Sequence, residues 1–87
     1  MTAHEVSQSE ALANLAAVAT QLIDVETLFR KLLEEHGASE EILQPAIVRW
    51  MAALLAMETR DAKTADLNLR AAKQLLNELI TRMPIQI

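Results

Sequence analysis

An unbroken seven-residue repeat of apolar positions in the first part of the chain is the feature that most constrains its fold. Apolar residues recur there at alternating spacings of four and three, with no glycine or proline between them. Such a repeat predicts one long amphipathic helix that packs against other helices. The members of the repeat are Ala11, Leu15, Val18, Leu22, Val25, Phe29, Leu32 and, at its end, His36.

The end of this first helix is marked in the sequence. Gly37 has no Cβ, so it can take the left-handed conformation that commonly follows the last turn of a helix. His36 stands where a cation would complement the negative end of the helix dipole. We predict a helix over residues 8–36, preceded by frayed residues 1–6.

The middle of the chain is almost wholly apolar. The run AIVRWMAALLAM, residues 46–57, is apolar at 11 of its 12 positions. A helix that is apolar on all sides is usually central or sandwiched between other elements. Pro45 disfavours helical geometry just before it and fits a first helical turn. We therefore predict a short turn at 39–43 and then a central helix from Pro45 to about Arg60, with Trp50 in the interior.

The spacing of four and three resumes near the end of the chain and predicts a third helix that stops before Pro84. Residues 58–64, which are polar except for Ala62, separate it from the second helix. They include no glycine or proline, so one continuous helix is the alternative. Because the apolar seam changes phase there and Asp61 or Thr64 can cap a new start, we favour a break. The third seam consists of Ala65, Leu69, Ala72, Leu76, Leu79 and Met83.

Composition supports an all-α fold. Hydrophobic residues make up 52% of the 87 residues, but aromatic residues only 2%, and there is a single glycine for tight turns. Sheet-forming residues are therefore scarce and good helix formers dominate. We predict one helical domain over residues 1–87, with a short tail at 85–87. Its architecture is an antiparallel three-helix bundle with a long first helix, completed by dimerisation.

The chain has few side chains of the types that catalysis or metal binding requires. It has no cysteine, no tyrosine and two histidines, and it lacks metal-ligand spacings such as H-E-x-x-H. His4 falls in the frayed start and His36 at a helix end, and we expect both side chains to be solvated. We predict a non-enzymatic protein with no catalytic residue, no metal ligand and no cofactor.

The net charge of -4 argues against a general binder of polyanions. One weak basic stripe stands on the third helix, where Lys63, Arg70 and Lys73 fall within roughly 80° of arc. This stripe would contact an acidic partner or nucleic acid, and a nucleic-acid-associated regulator is the alternative function. In another arrangement, it packs against acidic residues of the first helix, Asp24 among them.

Two further features bear on location. The first ten residues, MTAHEVSQSE, contain no basic segment followed by an apolar run, so we expect no signal peptide. The apolar run at 46–57 is too short to span a bilayer. We expect a cytoplasmic protein with no membrane partner.

The predicted helices differ in length, and this difference points to a partner. The first helix would be roughly 43 Å long and the second roughly 24 Å, so the second would fold back only to about residue 20. The apolar face before that level would be uncovered. We predict a protein-binding module that forms a twofold homodimer, with a second protein as a further partner, like a small adaptor, chaperone or antitoxin-like subunit. A small helical enzyme ranks third. The predicted interface residues are Leu12, Leu15, Ala16, Val18, Ala19 and Ile23.

Overall fold

The computed structural model consists of three α-helices joined by two short turns. It describes residues 3–84, and from residue 15 onward also their side chains. Within these residues the chain is all-α, as predicted, and consecutive helices run antiparallel. The predicted tail at 85–87 lies outside the described residues. The helices are α1 (Ala3–Glu35), α2 (Glu40–Glu58) and α3 (Ala62–Arg82).

The start of α1 and the start of α2 differ from prediction. α1 begins at Ala3, so residues 3–6 are helical and not frayed, since no proline or glycine interrupts them. α2 begins at Glu40, so the predicted short turn at 39–43 is wrong. The Ser39 side chain caps α2 by accepting a hydrogen bond from the backbone N–H of Ile42 at 3.3 Å. This cap outweighs the preference of Pro45, which lies inside the helix as its sixth residue and donates no backbone hydrogen bond there.

The predicted break between the second and third helices is confirmed, with Asp61 as the cap. The Asp61 carboxylate accepts from the backbone N–H of Thr64 at 3.1 Å and from its hydroxyl at 2.6 Å. The hydroxyl bond first, and then the backbone bond, lower the pKa of Asp61 from its ordinary value of 3.8. Because the pKa is lower in the folded than in the unfolded protein, the Asp61 carboxylate stabilises the fold at pH values above its pKa in the unfolded chain. This contribution is lost as the pH falls through its pKa in the folded protein.

Both turns place one residue in the left-handed region. Gly37 has φ 62°, as predicted for the end of the first helix, and Arg60 has φ 61°. After Arg60, the backbone N–H of Asp61 donates to the carbonyl of Ala56 at 2.8 Å, which is the long bond of a Schellman ending. Glycine takes this conformation freely, but the Cβ of arginine crowds the following carbonyl.

Gly37 takes the left-handed conformation at no steric cost and Arg60 does not, so we predict that substitutions at these two positions change the free energy of unfolding in opposite directions. Arg60→Gly should raise the free energy of unfolding by about 1 kcal/mol, because it relieves the steric cost of a left-handed residue that has a Cβ. Gly37→Ala should lower it by about the same amount for the reverse reason. Urea denaturation of both variants beside the natural chain measures the two shifts. An unchanged midpoint for both would contradict the argument.

The central helix is α3 and not α2. α3 packs along both other helices, whereas α1 and α2 barely approach each other. The prediction that the apolar second helix is central is therefore wrong. The side of α2 that faces the core is built largely of alanines, which let α3 come close, and several larger apolar residues of α2 face outward. The buried alanines of α2 are Ala46, Ala53 and Ala56.

One core cluster joins the three helices, and the predicted seams supply much of it. The first buried seam begins at Val18 in α1 and ends at His36, directly after that helix, and the seam of α3 includes Leu69 and Leu76. The remaining seam positions near these residues are partly buried against the core. The fully described buried apolar set is Val18, Val25, Leu32, Ala38, Leu43, Ala46, Ala53, Ala56, Ala65, Leu69, Ala72 and Leu76.

The length mismatch between the first two helices is present. α1 has 33 residues and α2 has 19, which differ by roughly 20 Å at 1.5 Å per residue. The turn between α2 and α3 lies at the level of Leu15 and Val18, with which it lines a hollow of about 630 Å³. This level is slightly closer to the start of α1 than the predicted residue 20, because α2 is longer than predicted. The first turns of α1 extend beyond it.

Candidate functional site

A stripe of apolar residues on α1 faces solvent near the level of the α2–α3 turn. Leu15 is 59% exposed and Ile23 is 63% exposed. Ala16 and Ala19 lie between them and are also exposed. The successive spacings place these four residues, the α1 stripe, on one side of the helix. Small residues at its centre would let another helix approach closely.

The two remaining predicted interface residues are Val18 and Leu12. Val18 is only 2% exposed and belongs to the core of its own chain, so it is not available to a partner. The prediction failed there because the α2–α3 turn and the start of α3 reach the level of Val18 and cover it. The side chain of Leu12 lies outside the described part of the chain. By spacing alone, Leu12 would continue the α1 stripe, three residues before Leu15 and four before Ala16.

A second apolar row is exposed on α2, and the sequence analysis missed it. Val48, Met51 and Leu55 are 53%, 59% and 63% exposed. Together with the half-buried Ala52, they follow the i, i+3, i+4, i+7 pattern of one helix face. The signal that could have found this row is the placement of Ala46, Ala53 and Ala56 on the opposite face. In a helix that is apolar on all sides, the hydrophobic pattern alone does not show that one face has small residues and the other has large ones.

A groove runs between α1 and α2. Its volume is about 550 Å³, and no residue of α3 lines it, so it opens on the side of the molecule away from α3. We call it the α1–α2 groove. Its charged lining residues are three acids and one base. The lining consists of Glu26, Phe29, Arg30, Leu33, Glu34, Glu40, Leu43, Ile47 and Trp50.

Trp50 and Phe29 close the floor of the α1–α2 groove. Their ring centroids lie 5.7 Å apart at an interplanar angle of 61°, an edge-to-face contact that joins α2 to α1. Trp50 is half-buried, not interior as predicted. Its indole N–H is covered by the protein and has no hydrogen-bond partner. Trp50 therefore contributes the apolar surface of its ring to the groove, and not a hydrogen-bond donor.

Of the predicted basic stripe, two residues pair with carboxylates. Arg70 Nε lies 2.7 Å from an Asp66 oxygen one turn earlier on α3, and Lys73 Nζ lies 2.9 Å from an Asp24 oxygen on α1. The second pair matches the arrangement in which the stripe packs against the first helix. Lys63 is exposed and lines the hollow beside Leu15. The three side chains therefore do not form one converging cationic surface.

His36 is buried, which corrects the expectation that it is solvated. It is 3% exposed, and its Nδ1–H donates to the carbonyl of Met83 at 2.8 Å, while Nε2 is covered and has no partner. This bond ties the end of α1 to the end of α3. Its role is packing and positioning of the helix ends. His4 lies in the part of α1 whose side chains are not described.

Between residues 15 and 84, no group of three or more acidic or histidine side chains is arranged to hold a metal ion. None of the described helices is both long enough and apolar enough to cross a membrane. Comparison of the chain with protein-family models, with curated proteins and with solved structures finds no match. The exposed apolar surfaces of α1 and α2 are thus the features from which a function can be argued.

Proposed function

We propose that this protein is a non-enzymatic protein–protein interaction module that self-associates through the α1 stripe. The observation that carries the proposal is the exposure of Leu15 and Ile23, 59% and 63%, on a helix that extends past the rest of its own bundle. A second copy of the same stripe, placed across a twofold axis, would cover these side chains with an identical apolar surface.

The energetics allow a weak dimer at most. Full burial of a leucine or isoleucine is worth about 1.5–3 kcal/mol, and side chains as exposed as these retain more than half of it. Spacing alone assigns Leu12 to the same stripe; counted at the same exposure, it and Leu15 and Ile23 with their twofold copies would supply roughly 5–11 kcal/mol. The loss of rigid-body freedom costs about 4–15 kcal/mol, so we expect dissociation in the range of tens of micromolar or above.

Ile23→Glu tests this interface most cleanly. Two carboxylates buried across the twofold axis would be strongly unfavourable, so the variant should be monomeric where the natural chain is dimeric. Helicity should persist, because Ile23 faces solvent in the single chain. Sedimentation equilibrium from about 10 to 500 μM measures the mass across the expected range. Leu15→Glu should act in the same direction, although Arg60 and Lys63 nearby offer the new carboxylate a partner.

Three controls separate this interface from the alternatives. Leu22→Glu places a charge on the neighbouring residue that packs against the core, so it should unfold the chain. Leu67→Glu, at a 62% exposed position of α3, should leave the mass unchanged. Leu55→Glu should also leave it unchanged. A natural chain that is monomeric at every concentration, or a dimer that Leu55→Glu dissociates and Ile23→Glu does not, would contradict the proposal.

The nucleic-acid alternative receives less support from the geometry. Arg70 and Lys73 are engaged by carboxylates, and the chain as a whole is acidic. A phosphate backbone is bound by several basic side chains that present themselves together. We therefore keep protein binding as the proposal.

A further inference from the structure

The α1–α2 groove is a concave apolar surface with aromatic side chains at its base. Phe29, Leu43, Ile47 and Trp50 provide the apolar lining, and Leu33 stands at the edge with 53% of its surface exposed. A volume of about 550 Å³ is ample for several side chains of a ligand. Because two helices form its walls, the groove is elongated along them.

The apolar surface continues beyond the lining residues toward the middle of the molecule. Met51 follows Ile47 by four residues and Leu54 follows it by seven, so helical periodicity places both on the groove side of α2. Met51 is 59% exposed, and Leu54 is half-buried. Methionine adapts its shape readily to a partner surface. The available apolar track is thus several helical turns long.

The charges along the edges are predominantly acidic. Glu26 and Glu34 on α1 and Glu40 on α2 line the groove, and Arg30 is the single base among its lining residues. All four are exposed. Acidic rims beside an apolar base complement a ligand that is apolar on one face and cationic at its edges.

A second copy of this chain does not have that chemistry. Its exposed apolar rows lie on α1, which has six acidic and two basic residues, and on α2, which has three acidic and one basic. The more basic helix, α3, has four basic and two acidic residues, but its one large apolar side chain that is more than one-third exposed is Leu67. Self-binding in the groove would bring acid against acid or a polar face against the apolar base.

We propose that the α1–α2 groove binds an amphipathic helix of a different protein, with lysine or arginine flanking an apolar face. The inference rests on the proposed function only in treating the protein as a binding module. The α1 residues of the groove follow the α1 stripe along the same side of the helix but are different residues, so Ile23→Glu and Leu33→Ser test the two interfaces separately.

The test uses synthetic helices and the single tryptophan of the chain, which lies in the groove. The probe is a leucine–lysine peptide of about 18 residues, with leucine at i, i+3, i+4 and i+7 and without tryptophan. One control peptide has glutamate in place of lysine, and another has the same leucines and lysines in scrambled order. The leucine–lysine helix should shift Trp50 emission to shorter wavelength in a saturable way and bind at least tenfold more tightly than either control.

Two leucine variants locate the binding surface. Leu33→Ser removes an exposed apolar contact at the groove edge and should weaken peptide binding about tenfold, because the exposed half of this leucine would no longer be buried against the peptide. Leu67→Ser makes the same change at a similarly exposed position on α3 and should alter binding less than twofold. Both residues are more than half exposed, so both variants should keep the helicity of the natural chain.

Three results would overturn the inference. The first is equal affinity for the cationic and anionic helices. The second is equal weakening by Leu33→Ser and Leu67→Ser, or by neither. The third is peptide binding that always dissociates a self-associated chain, seen as a fall in mass, because it would show that a second copy occupies the groove. A monomeric natural chain that still binds the cationic helix would refute self-association alone and leave the groove assignment supported.

Discussion

Replacing Leu69 by alanine is expected to lower the free energy of unfolding by about 3–4 kcal/mol, among the largest effects available to a single side-chain truncation in this fold. Leu69 is 0% exposed and lies on α3, the helix that packs against both others. Its removal takes apolar atoms out of the core and leaves a cavity that alanine-rich neighbours cannot fill. For a domain of this size, the melting temperature should fall by roughly 12–30 °C.

Leu67 supplies the matched control. It stands two residues earlier on the same helix and is 62% exposed, so Leu67→Ala should change the free energy of unfolding by less than about 0.5 kcal/mol. Both variants must be compared at one protein concentration, because a dimer melts at a concentration-dependent temperature. Similar losses for the two variants would mean that α3 does not lie at the centre of the fold.

Replacing His36 by alanine is expected to lower the free energy of unfolding by about 2–4 kcal/mol, well beyond the fraction of a kcal/mol expected from the helix dipole alone. The variant removes a buried ring and the hydrogen bond from Nδ1 to the carbonyl of Met83 at 2.8 Å. Both contacts hold the last turn of α1 against the end of α3. Denaturant unfolding followed by circular dichroism measures the loss.

A second variant at the same position separates the hydrogen bond from the packing. His36→Asn keeps an amide N–H close to the place of Nδ1–H but removes part of the ring, so it should recover about 1 kcal/mol relative to alanine. Glu35→Ala, at the exposed neighbouring position, should stay within about 0.5 kcal/mol of the natural chain. If all three variants are equally stable, the burial of His36 has no energetic importance.

The two proposed interfaces would bind different partners. The α1 stripe is a shallow apolar surface suited to a weak, self-complementary contact. The α1–α2 groove is concave, aromatic at its base and acidic at its edges, which suits a ligand of opposite charge. A protein of this kind would present the same groove twice in each dimer and could bring two partner helices together.

The sequence by itself determined the number, type and seams of the helices. Spacings of four and three between apolar residues identify the face of α1 that contains Val25 and the face of α3 that contains Leu69, and both are buried. The positions of Gly37 and Asp61 also marked the ends of helices correctly. These features depend on local periodicity and on backbone groups that nearby residues satisfy, so the local sequence contains the information.

Only the tertiary structure decided which helix is central and which apolar residues face solvent. An apolar run such as that of α2 has no polar side to orient it, so the buried face was set by the fit of Ala46 and Ala53 against α3. The same packing left Met51 exposed and Trp50 half-buried in the groove. It also buried His36 against the end of another helix. These outcomes depend on how three helices pack together, a property that no single helix contains.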